Sequence, residues 1–363
     1  MALQLSELGD SRFTKKGRWN YHTFLFTLFI FAVIAIMIAL LSAIWMMGVK
    51  GTTALIILLL HPRSEDALDN IYQVAFDAPQ HRGLRILKVA TKVRRGDGVL
   101  WEALAYKYAN LEQWTSARNA MRRAMMVGRE HSKSNMEFIV LTYTAERKWE
   151  VATDTARKFI EQEPSRALCK LLLFAARRCG KVRQAITFMQ ARHSKLTSLS
   201  LYSSRWSKYC EPYEVLICQA FLSIGDIMAA RRLLGRLRAI VKDTPIGIDS
   251  KSAMYTIGAV HYISGEYMKA VTCFRQKQYL PIMAHAPTLA FAASAIIEGK
   301  SSEAIKILEN AAKMVTYTRP SLVCEPLYPD CKFWLSEIPR LARGAKDYQE
   351  LFRLCQLLKS AYW

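Results

Sequence analysis

The side chains in this sequence that could do chemistry are arranged as cationic stripes. Arg82, Arg85, Lys88, Lys92 and Arg95 recur at steps of 3, 3, 4 and 3 residues, the repeat of one helix face. Such a face can rest on anionic lipid head groups or stand solvated on a leading hairpin, and the spacing alone leaves both readings open. Arg118, Arg122 and Arg123, and Arg231, Arg232, Arg236 and Arg238, form further basic strips read as solvent-facing. No phosphate loop of the form Gly-x4-Gly-Lys-Ser/Thr occurs, and no Gly-x-Gly-x-x-Gly follows a strand pattern. The seven histidines form no His-Glu-x-x-His pair, and no Gly-x-Ser-x-Gly elbow is present. Arg95-Gly96-Asp97 reads as the end of one helix and the cap of the next. The chain is therefore expected to be no enzyme and to use no cofactor or metal.

The eight cysteines lie at 169, 179, 210, 218, 273, 324, 331 and 355, with no Cys-x2-Cys pair to suggest a zinc ribbon. Several fall at apolar positions and act as small core residues. Cys324 and Cys331 bracket a proline-containing loop, Cys-Glu-Pro-Leu-Tyr-Pro-Asp-Cys, and are read either as thiols or as a disulfide in an oxidising space.

The elements that carry these residues fall into two kinds. Phe24–Met47 is 24 residues without a charge, about 36 Å of helix and long enough to cross a hydrocarbon layer of about 30 Å. Trp19, Tyr21 and Trp45 mark its ends. A second apolar run, Thr53–Leu60, follows Lys50 and is too short to span. It can lie in the interface, prolong the first helix, or form half of a two-span hairpin. Arg12, Lys15, Lys16 and Arg18 precede the span and only Lys50 and Arg63 closely follow it, which favours a cytoplasmic N-terminus. One span then puts the remainder outside the cytoplasm and two put it inside. The expected location is a membrane, single-pass, of the bacterial inner-membrane kind, with the side of the remainder open.

The remainder, 62–363, carries a net charge of +18 out of +21 for the whole chain of 363 residues. Low glycine and proline with abundant Ala, Leu, Lys and Arg point to helix. A pattern recurs within it. In Trp101–Ala124, Trp101, Leu104, Ala105 and Tyr108 share one face, then Trp114, Ala117, Met121 and Ala124 share another. The same order returns around Ala152, Ala185, Ala230, Ala270 and Ala304, at intervals of 35, 33, 45, 40 and 34 residues. Gly180, Gly225, Gly265 and Gly299 sit at the same inter-helix position. This pattern resembles the tetratricopeptide repeat (TPR), in which small residues mark the crossings of paired antiparallel helices. Cys169 and Val182 depart from the bulky residues common at their positions, and the last two repeats lack the first-helix tyrosine.

The fold implied is all-α: an N-terminal transmembrane helix followed by a TPR-like α-solenoid of about six helical hairpins. The expected parts are a tail (1–21), the anchor with its short second apolar segment (22–61), a leading hairpin (62–97), the repeats (98–315) and capping helices (316–363). The resemblance further implies a groove lined by the first helix of each hairpin. Its places fall on Glu102, Tyr106 and Asn110; on Lys170, Phe174, Arg177 and Arg178; on Gln219 and Leu222; on Tyr255 and Tyr262; and on Leu289 and Ile296. A cationic and aromatic middle suits a protein partner whose segment is acidic and hydrophobic. The function implied is a membrane-anchored scaffold mediating protein–protein interaction in an envelope, secretion or export assembly. The alternative is a regulatory subunit of a membrane-bound synthase. Nucleic-acid binding ranks below both, because the groove places show no regular base-reading pair.

Overall fold

A computed structural model describes residues 13–128, 132–197, 210–243, 248–276, 285–315 and 326–362. Among the described residues the secondary structure is helical and contains no strand. The chain divides into two compact units, Met1–Gly128 and Arg129–Trp363.

In the first unit α1 runs Phe13–Leu60 and breaks at Gly48, where φ is 79° and ψ 164°. A residue with a Cβ would be strained at that φ. Just after the break two threonine hydroxyls bond back onto the preceding turn: Thr52 Oγ1 donates to Gly48 O and Thr53 Oγ1 to Val49 O, each at 3.0 Å. Before the break, Leu25–Trp45 is an almost fully exposed apolar rod. After it, one face of the helix (Thr52, Ala54, Leu55, Leu58) is buried against α2 (Glu65–Asp77) and α3 (Gln80–Val93). The second apolar run is thus a bent continuation of the first helix, half-covered by protein. Gly51 permits the close approach, since a Cβ there would stand 2.7 Å from Ile86 Cδ1. Ser64 and Asp97 cap α2 and α4 (Gly98–Asn110) through backbone N–H groups three residues on. The unit closes with α5 (Trp114–Val127), paired to α4.

The second unit is a succession of helical hairpins. These are α6 (Ser132–Ala145) with α7 (Trp149–Gln162) and α8 (Arg166–Arg178) with α9 (Val182–Gln190), followed by the short α10 (His193–Thr197). Next come α11 (Tyr213–Ser223) with α12 (Ile227–Arg232) and α13 (Leu234–Asp243), and α14 (Ile248–Ile263) with α15 (Tyr267–Phe274). The last pairs are α16 (His285–Ile297) with α17 (Ser301–Val315) and α18 (Cys331–Leu341) with α19 (Tyr348–Tyr362). The interiors of the two longer inter-repeat stretches, and Cys324, lie outside the described residues, so the Cys324–Cys331 pairing does too.

The repeat chemistry is local and uniform. Ala117, Ala152, Ala185, Ala230, Ala270 and Ala304 all have 0% exposure, as helix crossings at small residues require. Each of the six turns contains one left-handed residue. Gly180, Gly225, Gly265 and Gly299 take φ of 74–79°, and Glu112 and Arg147 fill the same place at 57° and 59°. In each turn the next N–H reaches back five residues, as in Asp226 N to Phe221 O at 3.0 Å and Gln113 N to Tyr108 O at 2.9 Å. That is the Schellman closure. The basic strips on second helices divide: Arg122, Arg123, Arg231, Arg232, Arg236 and Arg238 are exposed, whereas Arg118 is buried and donates to Thr115 Oγ1 at 3.2 Å.

Candidate functional site: a groove that holds the chain's own segment

Expected groove places of the second unit lie on α8, α11, α14 and α16, and α8, α11 and α14 each present one of them to a single segment, Pro326–Asp330. This segment leads directly into α18. The α8 residue Arg177 donates to Leu327 O at 2.8 Å and pairs with Asp330 Oδ2 at 2.8 Å. Its guanidinium also lies over the Tyr328 ring, 4.7 Å from the centroid. The α11 residue Gln219 is fully buried and accepts from Leu327 N at 2.7 Å while donating to Thr256 Oγ1 at 2.9 Å. The α14 residue Tyr255 donates to Pro329 O and accepts from Trp334 Nε1 at 2.7 Å.

Two kinds of recognition are combined here. A carboxamide, a guanidinium and a phenol read the backbone polar groups of a bent segment. The guanidinium then reads a carboxylate through a charge-assisted bond. Asp330 serves twice, because its Oδ1 also accepts from Phe333 N at 3.0 Å and caps α18. Beyond the segment, Tyr262 Oη donates to Glu337 Oε2 at 2.7 Å. The Tyr262 ring meets Trp334 and Phe333 edge-on at 4.9 and 6.1 Å. Burial, followed by the Glu337 hydrogen bond, pushes the Tyr262 phenol well above its ordinary range. Burial likewise raises the Tyr328 phenol, against the opposing effect of Arg177.

The other expected groove residues are placed differently. Lys170 is buried and paired with buried Glu211 at 2.7 Å, so its ammonium neutralises an internal charge and is not offered to a partner. Desolvation is the largest influence on Glu211 and raises its pKa against the lowering effect of Lys170. Leu222, Leu289 and Ile296 are buried in the cores between hairpins. Phe174 is half-buried edge-on to Trp149, with centroids 5.9 Å apart. Arg178 is exposed above both rings, at 5.4 and 6.0 Å, and forms an open cationic–aromatic margin beside the occupied part of the groove. In the first unit Glu102 and Tyr106 are half-buried and Asn110 is exposed.

The basic stripe is a surface feature. Arg82, Arg85, Lys88, Lys92 and Arg95 are all exposed. Arg85 donates to Met46 O at 3.4 Å, and Lys88 Nζ lies over the Tyr108 ring at 5.3 Å.

Sequence reasoning missed the ligand-like role of Leu327–Asp330. The signal was present, since Leu-Tyr-Pro-Asp has the acidic and apolar character expected of a partner segment, and it lay in the chain itself.

No protein-family model matches the chain, and no curated protein matches it. Solved structures similar to this chain include one in the "Structure of Naa15/Naa10 bound to HypK-THB", at 12% identity and a TM-score of 0.33. The alignment covers 86% of this chain and 59% of that one, so the protein spans little more than half of its neighbour's length. A likeness at this level carries no argument about function.

Proposed function

We propose that this protein is a membrane-anchored, TPR-like scaffold that binds a partner protein through an acidic and apolar segment, with no catalytic step of its own. The observation that supports it most directly is the occupied groove. Arg177, Gln219 and Tyr255 hold a bent Leu-Tyr-Pro-Asp segment by its backbone and its carboxylate. That is the recognition chemistry a partner segment of the same kind needs. Arg178, with Phe174 and Trp149, extends this chemistry to an open margin. Anchorage is supported by the exposed apolar rod Leu25–Trp45, whose length and composition suit one crossing of a membrane.

The test is co-purification from membranes with the full chain as bait. Arg178→Glu reverses the charge of the open margin without touching Asp330, and Arg177→Glu with Arg178→Glu reverses the whole cationic centre. Stoichiometric partners are expected to be lost progressively across the two variants. Unchanged recovery from both would remove the groove reading. Recovery of one membrane synthase at a one-to-one ratio would specify the scaffold as that enzyme's regulatory subunit.

A further inference from the structure

The junction between the apolar rod and the first hairpins has a surface that the scaffold reading does not use. After the break at Gly48, the residues of α1 facing away from α2 and α3 are Val49, Thr53, Ile56 and Leu60, at steps of 4, 3 and 4, with Leu59 beside them. Val49, Ile56, Leu59 and Leu60 are 66, 38, 57 and 70% exposed. A helix covered by protein on one face and bare, apolar and uncharged on the other is unstable in water and suited to an acyl boundary. This bare face continues directly from the rod.

Basic groups of α3 stand beside the same bend. Arg85 reaches the Met46 carbonyl at 3.4 Å, and Arg82 lies 3.9 Å from where a Cβ on Gly48 would stand. Lys50, two residues after Gly48, is exposed. An open cavity of about 530 Å³ occupies the bend, and its polar lining is Lys50, Arg82, Asn70, Gln73 and Asp77. Cations there meet a phosphate, and the amides and carboxylate meet hydroxyl groups.

We propose that this bend is a binding site for the headgroup of an anionic, hydroxyl-bearing phospholipid. Arg82, Arg85 and Lys50 hold its phosphate, Asn70, Gln73 and Asp77 meet its hydroxyls, and its acyl chains lie along Val49, Ile56 and Leu60. The arm after Gly48 then rests at the hydrocarbon boundary, and the cationic groups are at headgroup depth. The proposal rests on the anchor reading. It adds that the lipid is chosen by headgroup, where an anchor alone is indifferent to it.

The experiment uses the full chain in dodecyl maltoside, titrated with dioctanoyl-phosphatidylglycerol, dioctanoyl-phosphatidylcholine or inorganic phosphate while the unfolding temperature is followed. Phosphatidylglycerol is expected to protect at a concentration at least tenfold lower than phosphatidylcholine, and inorganic phosphate is expected not to protect. Arg82→Gln with Arg85→Gln should reduce the preference below twofold. Arg123→Gln with Lys158→Gln, which removes the same charge elsewhere, should leave it intact. Equal protection by the two lipids, protection by phosphate alone, or a preference that survives Arg82→Gln with Arg85→Gln would overturn the site. Alkaline carbonate extraction of membranes separates the two readings. A chain that stays in the bilayer but shows no headgroup preference loses only this site, whereas one released without detergent loses the anchor as well.

Discussion

Asp330 carries two separable interactions, and the variants that separate them measure how the resident segment is held. Its Oδ1 caps α18 at Phe333 N, 3.0 Å away, and its Oδ2 pairs with Arg177 at 2.8 Å. Asn caps as well as Asp does, so Asp330→Asn keeps the cap and removes only the charge. The ion pair is about a quarter exposed on each side and therefore contributes about 0.5–1 kcal/mol. Asp330→Ala removes both, adding about 1 kcal/mol for the cap, so about 1.5–2 kcal/mol in all. Near the midpoint these losses correspond to roughly 1–4 °C for Asn and 3–8 °C for Ala, at about 2–4 °C per kcal/mol. The assay is thermal unfolding of the full chain in non-ionic detergent, followed by intrinsic tryptophan fluorescence, to which buried Trp334 contributes. A cycle combining Asp330→Asn with Arg177→Gln should return a coupling of about 0.5–1 kcal/mol. Zero coupling, or an Asn variant as costly as the Ala variant, would refute the division of labour. No change in either variant would mean that Asp330 neither seats the segment on α8 nor caps α18.

Three further outcomes are expected. Tyr255→Phe removes a hydroxyl that serves both Pro329 O and Trp334 Nε1; leaving two buried groups unmatched should cost about 2–4 kcal/mol by the same unfolding assay. Glu112→Gly relieves a left-handed residue at φ 57°, so the first repeat should gain about 0.5–1 kcal/mol, and a loss would show that this turn is held by the side chain. Burial lowers the His285 pKa from 6.5; the unfolded chain then takes up a proton before the folded one, so stability is whole above pH 6.5 and falls as pH drops below it. Unfolding temperatures between pH 7.5 and 5.5 should show this slope, flattened in His285→Gln.

What was legible in the sequence was whatever a single turn or crossing decides. Small residues at helix crossings and glycines at left-handed turns are local necessities, so the six alanines and four glycines could be read directly. Glu112 and Arg147 occupy the same turn without advertising it, because the Schellman closure tolerates a strained residue at modest cost. The groove was legible as a set of places and illegible as to what fills it. Arg177 and Asp330 are 153 residues apart, and Lys170 meets Glu211 across an inter-repeat stretch. Both pairings are set by how hairpins stack, which no local pattern records. The second apolar run was ambiguous for a similar reason. Its hydrophobicity says only that it avoids water, and the packing of Gly51 against Ile86 decides that protein covers one side.

The strap across α8, α11 and α14 also sets a timetable for biogenesis. Arg177 and Asp330 are 153 residues apart, so at about 5–20 residues per second the ribosome needs roughly 8–31 s to deliver the second after the first. During that interval the nascent hairpins stand unlatched at the ribosome while the apolar N-terminal rod has long since emerged. A stop codon anywhere before Pro326 would make that transient condition permanent.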